Sequence, residues 1–158
     1  MTCKLSLSTY TPWQHQAAPG QSRYALPMKI VYKRDAPLAT ADIIRVFETS
    51  GIVRPTQDQT RISQMFTNSN LVFSAWDGEK LVGVCRCLTD FNYACYLSDL
   101  AVDKRYQSSG IGKELVRKVR DIIGERVALI LLSAPTAMDY YPKIGFEPIH
   151  NGFIIKRK

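Results

Sequence analysis

The sequence predicts an α/β fold, and three observations carry that prediction. First, the apolar period changes near the middle of the chain: Tyr96 to Val102 is a short apolar run, whereas Leu115, Val116, Val119, Ile122 and Ile123 recur at helical spacing. Second, Asp77-Gly78 separates two strand-like runs, Leu71 to Trp76 and Lys80 to Leu88, which is a hairpin signal. Third, Val127 to Ser133 is a continuous apolar run, consistent with a strand buried on both faces. At 158 residues, with no internal repeat, the chain supports one domain with a sizeable core.

The elements follow in order. Lys29 to Lys33 reads as a first strand, with a domain-like start at Met28. Thr40 precedes an amphipathic helix over Ala41–Glu48 that ends near Gly51, and Arg54-Pro55 marks a break. Asp58 is placed to cap a second helix containing Ile62, Met65 and Phe66. The hairpin comes next, then a turn around Asp90–Tyr93 leading into a strand over Ala94–Val102. After the helix that follows Lys113 comes the Val127–Ser133 strand. Pro135 and Thr136 then start a short helix with Thr136 as N-cap, and Gly145 ends it. On that helix Ala137 and Tyr141 lie four apart and share a face, although Pro142 would kink it. Phe146 begins one short strand, and Phe153–Lys156 forms the last. The order reads β-α-α-β-β-β-α-β-α-β.

Residues 1–27 differ from the rest. They contain no Asp or Glu and are rich in Ser, Thr, Pro and Gln. They read as a flexible extension or an upstream start; a transit peptide would share that composition, but Lys4 and Arg23 are the only positive residues. No apolar stretch approaches the roughly 18 residues that span a bilayer, so no membrane role is expected. The cysteines, Cys3, Cys85, Cys87 and Cys95, show no metal spacing; Cys85 and Cys87 share a strand face and read as small buried hydrophobes in a reducing, cytoplasmic compartment. The net charge of +7 is scattered, without an aromatic–basic repeat, so nucleic acid is not an expected partner. It suits instead an anionic cofactor.

The loop between the Ala94–Val102 strand and the next helix is the most informative stretch. Its backbone amides, Gln107, Ser108, Ser109, Gly110, Ile111 and Gly112, lie just before a helix N-terminus, where unpaired N–H groups and the helix dipole favour an anion. Gly110 and Gly112 let the chain approach a phosphate without a Cβ in the way. A P-loop does not fit, because a single residue separates the glycines, and the dinucleotide fingerprint fails because position 107 is Gln. What fits is Gln/Arg-x-x-Gly-x-Gly/Ala, met by Gln107, Gly110 and Gly112. With Ala-Met-Asp-Tyr-Tyr-Pro-Lys-Ile-Gly-Phe (137–146), which matches Ala-x-x-x-Tyr-x-x-x-Gly-Phe, the chain resembles the GCN5-related N-acetyltransferases (GNAT) over nearly all of residues 28–158.

That resemblance implies a mixed, mostly antiparallel central sheet of six or seven strands flanked by about four helices. It implies transfer of acetyl from acetyl-CoA to a primary amine, of a small molecule or a peptide, within a ternary complex. No metal is implied, and dimerisation through a sheet edge is expected by analogy. The Ala94–Val102 strand is expected to splay from its neighbour, Val127–Ser133, so that the backbone of Leu100, Ala101 and Val102 holds the pantetheine and polarises the thioester carbonyl. Pyrophosphate is expected on Gln107 to Gly112, with Lys113, Lys104 or Arg105 meeting outer phosphates. Ala137 leaves room for the cofactor, and Tyr141 is placed as the general acid that protonates the leaving thiolate. Its neighbour Tyr140 reads as core.

The base is open between Asp99 and Asp90. Strand alternation puts Asp99 with Leu97 and Ala101, opposite Tyr96, Ser98, Leu100 and Val102. His15 and His150 are weaker candidates. For the acceptor pocket the expectation is an aromatic wall with a charge, built from Arg86, Asp90, Phe91, Tyr93 and Tyr96. The stretches Leu88–Phe91 and Tyr96–Val102 are similar to bacterial and plastid-type members, some of which acetylate arylalkylamines. Those members carry an Asp seven positions before the acid tyrosine, where this chain has Ala134. A silent CoA-binding module, a protein-amine acetyltransferase and transfer of another acyl group are the alternative readings.

Overall fold

The computed structural model describes residues 29–157. The N-terminal extension, Met28, Cys3, His15 and Lys158 lie outside the described residues. Strand β1 (Ile30–Arg34) is followed by helices α1 (Thr40–Ser50) and α2 (Gln59–Thr67). Strands β2 (Leu71–Asp77), β3 (Lys80–Thr89) and β4 (Ala94–Val102) come next, then helix α3 (Ile111–Ile123) and strand β5 (Ala128–Leu131). The sheet order is β1-β2-β3-β4-β5, antiparallel except for the parallel pair β4–β5. Five strands and three α-helices therefore stand, among the described residues, where six or seven strands and about four helices were expected.

Local signals account for the boundaries. Gly51 takes a left-handed conformation (φ 84°) that stops α1. Asp58 accepts from the Arg61 N–H and caps α2 as expected, whereas Ala39, not Thr40, stands at the α1 N-cap. Asp77 pairs with Lys80, leaving a tight two-residue turn at Gly78-Glu79.

The difference at the C-terminal end has a physical cause. Pro135 and Pro142 each lack an N–H, and each opens a separate 3-10 turn, Pro135–Ala137 and Pro142–Ile144, in place of one helix. Neither Phe146 nor Phe153–Lys156 enters a strand; Phe153 and Ile155 are fully exposed. The Val127–Ser133 run also departs from a strand buried on both faces. Exposure alternates along β5, with Ile130 open to solvent, because β5 is an edge strand.

The sheet is a partition between two apolar layers. On one side α3 lays Leu115, Val116, Val119 and Ile123 against Cys85, Cys87, Cys95 and Leu97. On the other, Ile43, Val46 and Phe47 of α1 and Ile62 of α2 cover Leu81, Val84 and Ala101. Cys85 and Cys87 share a face, their sulfurs 4.0 Å apart, and hydrogen bonding with Cys85 and burial push the Cys87 thiol up, away from nucleophilic behaviour.

One irregularity in β4 governs the rest. Arg86 pairs with Asp99 and Cys87 with Leu97, so Ser98 is an extra residue, a β-bulge. The bulge breaks the alternation on which the expected faces were based. Leu97 stays in the α3 layer with Leu100 and Val102, while Asp99 and Ala101 turn toward α1 and α2.

There the Asp99 side chain is fully buried, with one carboxylate oxygen on Arg86 Nε and the other on Arg54 Nε. Arg86 is buried too, bonded to Ser98 Oγ, Ser69 Oγ and the Met65 carbonyl. Breaking such a pair strands a charge in the interior, at about 3–5 kcal/mol. Asp99→Ala is therefore expected to lower the unfolding free energy by about that amount in urea titrations. A loss well under 1 kcal/mol would show that the ion pairs carry no structural weight.

Candidate active site

The β4–β5 ladder is short. It runs from Ala94↔Ala128 to Leu97↔Leu131 and ends there, one residue before the bulge. β5 ends with that pair at Leu131, and β4 continues to Val102 with β3 as its only ladder partner among the described residues. The Asp103 N–H points at β3, donating to the Val82 carbonyl. By alternation the N–H and C=O groups of Leu100 and Val102 face the β5 side. The Val102 carbonyl is taken by a side-chain donor from the following loop, which leaves the peptide groups of Leu100 as the ones without a ladder partner on that side.

The loop at the end of β4 is held by its side chains. Gln107 donates through Nε2 to the carbonyls of Val102 (2.8 Å) and Ser50 (3.2 Å), tying the loop to β4 and to the end of α1. Its own N–H donates to the Lys104 carbonyl, so in this structure Gln107 braces the loop. Ser109 Oγ bonds the Tyr106 carbonyl at 2.5 Å, and Ser108 takes a left-handed conformation (φ 64°). From Ser108 to Lys113 the backbone N–H groups have no acceptor among the described residues. Six unpartnered donors in and just before the first turn of a helix are the kind of group that favours an anion.

The two glycines serve different ends. Gly110 sits at φ 85°, where a side chain would be strained, and open space surrounds it. Gly112 has no such conformation; a Cβ there would lie 2.6 Å from the hydroxyl of Tyr140. Tyr140, expected to be core, thus reaches from the C-terminal turns to the first turn of α3 and borders these amides. Of the basic residues, Lys113 is exposed in that first turn. Arg105 is drawn instead onto Asp103, whose carboxyl it holds well below the ordinary range, at about 2. Lys104 lies over Gly51 at the end of α1.

Tyr141 opens the second 3-10 turn, its carbonyl accepting from Ile144 and Phe146. Its ring stacks edge-on against Tyr140 (5.4 Å) and Phe146 (5.5 Å). Burial pushes the Tyr141 phenol above its ordinary value, Tyr140 and Cys85 add to this, and Arg54 opposes it. Ala137 is half-buried in the preceding turn and accepts from the Tyr140 N–H.

The expected acceptor residues do not form one wall. Asp90, Leu88 and Tyr96 line a shallow cavity of about 450 Å3 with Asn68, Asn70 and Thr89. Tyr93 stands 79% exposed in the β3–β4 turn and Phe91 is exposed beside it. Arg86 is withdrawn into the buried pair with Asp99, so it offers no charge to that wall. Asp99 is not available as a base either, since it has no solvent exposure and a guanidinium on each oxygen. Asp90 fails for another reason: Oδ1 accepts from the amides of Tyr93, Asn92 and Ala94, which holds the carboxyl below its usual value and makes it a poor proton acceptor. Sequence reasoning missed Arg54 and Tyr140. Arg54 follows a helix stop and precedes a proline, and nothing in that pattern says that its side chain crosses to β4.

This geometry has known counterparts. The model of the acetyltransferase (GNAT) domain matches residues 36–155, and the chain belongs to that family. It has the GNAT fold. GCN5-related N-acetyltransferase 2, chloroplastic, of Arabidopsis thaliana is 37% identical over 78 residues, 45% of this chain. That stretch is 30% of the relative, so the chain spans less than a third of its length. A probable acetyltransferase of unknown function from meticillin-resistant Staphylococcus aureus superposes with a TM-score of 0.70 at 22% identity, covering 82% of this chain and all of that one. An aminoglycoside N-acetyltransferase in complex with CoA superposes at 0.64 with 12% identity, covering 82% of this chain and 95% of that one.

The packing at Gly112 yields a paired test. Gly112→Ala is expected to displace Tyr140 and weaken acetyl-CoA binding by titration calorimetry, and adding Tyr140→Phe is expected to restore it. Unimpaired binding in the single variant would mean that Tyr140 does not border the cofactor.

Proposed function

We propose that this GNAT-family protein moves acetyl from acetyl-CoA to a primary amine by direct attack in a ternary complex, with Tyr141 as general acid. The observation that carries the reading is the run of six unpartnered amides at Ser108–Lys113, in the loop that follows a strand whose second half has no partner on the β5 side. The pyrophosphate takes those amides and Lys113. The pantetheine runs along Leu100, Ala101 and Val102, adding to the exposed strand edge as a further strand would. A backbone N–H of that edge then meets the thioester carbonyl where its charge grows.

The amine attacks the carbonyl carbon, the C–S bond breaks and sulfur leaves as thiolate. Tyr141 gives it a proton. Its raised pKa keeps the phenol protonated throughout the neutral range, so the proton is in place when the thiolate forms. The proton lost by the amine goes to water, because Asp99 is sealed and Asp90 is held ionised by its turn.

We place the protein in a reducing, cytoplasmic setting, in keeping with free, buried Cys85, Cys87 and Cys95, and no described helix is long and apolar enough to cross a membrane. A homodimer through the open edge of β5 belongs to the same proposal; Ile130 is exposed there.

Tyr141→Phe is expected to lower turnover about 10²-fold or more while acetyl-CoA affinity holds within a few-fold. In the wild type the rate should climb with pH as the acceptor amine loses its proton and show no falling limb until the tyrosine titrates above 10, its ordinary value. Unchanged turnover in Tyr141→Phe would remove the tyrosine from the mechanism.

A further inference from the structure

Arg54 is the one member of the buried arginine–aspartate cluster that reaches solvent. Arg86 spends its donors inside the protein, on Asp99, Ser98 Oγ, Ser69 Oγ and the Met65 carbonyl, and its side chain is 8% exposed. Asp99 carries one negative charge between two guanidinium groups, so the cluster holds one surplus positive charge. The surplus falls on Arg54, whose side chain is 27% exposed.

Its position is defined on three sides. Nε bonds Asp99, Nη2 donates to the Ser98 carbonyl at 2.9 Å and Nη1 to the Val53 carbonyl at 2.7 Å. Of the five guanidinium N–H groups, three are engaged and two have no partner among the described residues. Ser98 is the bulge residue, one step past the last β4–β5 pair, so the guanidinium, with one spare N–H on each of Nη1 and Nη2, is held where that ladder ends. The field of this group reaches Tyr141.

The geometry points to Arg54 as the acceptor-recognition residue, its free N–H pair taking a carboxylate carried next to the amine that is acetylated. This rests on the reading of the second half of β4 as the acetyl-transfer site. A guanidinium presents parallel donors that match a carboxylate in a bidentate fork, and one already immobilised loses little entropy on binding. A net positive charge there also disfavours polycationic acceptors and favours an amine whose own carboxylate offsets the charge. The preferred acceptor is therefore an α-amino acid or a similar amino carboxylate.

The test compares matched acceptors, a panel of α-amino acids, their α-amides and the corresponding decarboxylated amines, in wild type, Arg54→Gln and Arg54→Lys. Wild type is expected to favour the carboxylate member by tenfold or more in kcat/KM. Arg54→Gln should erase that preference, chiefly through KM of the carboxylate acceptor, and Arg54→Lys, which keeps charge without the fork, should recover part of it. Equal or better use of the amides by wild type, or an unchanged ratio in Arg54→Gln, overturns the assignment.

Equilibrium binding of N-acetyl amino acids against their amides, on protein loaded with CoA, reads the same preference without turnover. Transfer to amides and simple amines alone would overturn the carboxylate assignment and leave amine acetylation standing. A carboxylate preference in binding, lost in Arg54→Gln, with transfer to no amine would support Arg54 and count against amine acetylation. The unfolding midpoint of each variant, measured alongside, identifies a loss that comes from folding.

Discussion

A carboxylate with no access to water sits in the middle of β4, and the structure around it is arranged to satisfy it. Left alone, a buried charge of this kind is costly enough to unfold a small domain or to pick up a proton. Asp99 is met instead by Arg86 from the neighbouring strand and Arg54 from the loop after α1. Those two arginines also bond the side chain and the carbonyl of Ser98, the extra residue of the bulge. The ion pairs thus fasten an irregular piece of backbone that a regular ladder would not hold. The β4–β5 ladder ends one residue before the bulge, so past Ser98 β4 is held by β3 alone among the described strands.

The proposed seat for the anion is built almost wholly from backbone. Ser108 and Gly110 adopt left-handed conformations, Ser109 and Asp103 bond groups within the loop, and Gln107 ties it to the carbonyls of Val102 and Ser50. Side-chain charge contributes less than the sequence suggests, because Arg105 and Lys104 are turned toward Asp103 and the end of α1. Fixed donors of this sort need no rearrangement when an anion arrives, which preserves binding energy for positioning the thioester.

How much was legible in the sequence follows from the range of the interactions involved. Elements set by local chemistry were readable: the Asp58 cap, the Gly51 stop, the turn at Gly78 and the strand over Ala94–Val102. The glycine-containing loop before α3 was readable for the same reason, as its run of unpartnered amides is set by consecutive residues. Long-range pairings were not. The bulge at Ser98 depends on a register with β3, and it reversed the face assigned to Asp99 relative to Leu97. Arg54 reaches Asp99 across 45 positions, and Tyr140 meets Gly112 only because the Pro135 and Pro142 turns fold back over α3. Two prolines seven apart carried the information that no single helix would form, and the alanine-to-tyrosine spacing hid it.

The structure of the protein with CoA bound is the most direct measurement of the central claim. The sulfur should lie between Ser98–Val102 and the chain beyond Leu131, facing the Tyr141 hydroxyl, with the pyrophosphate on the amides of Ser108–Lys113. A pantetheine on another face, or β4 and β5 paired through Val102 with the bulge gone, would contradict it.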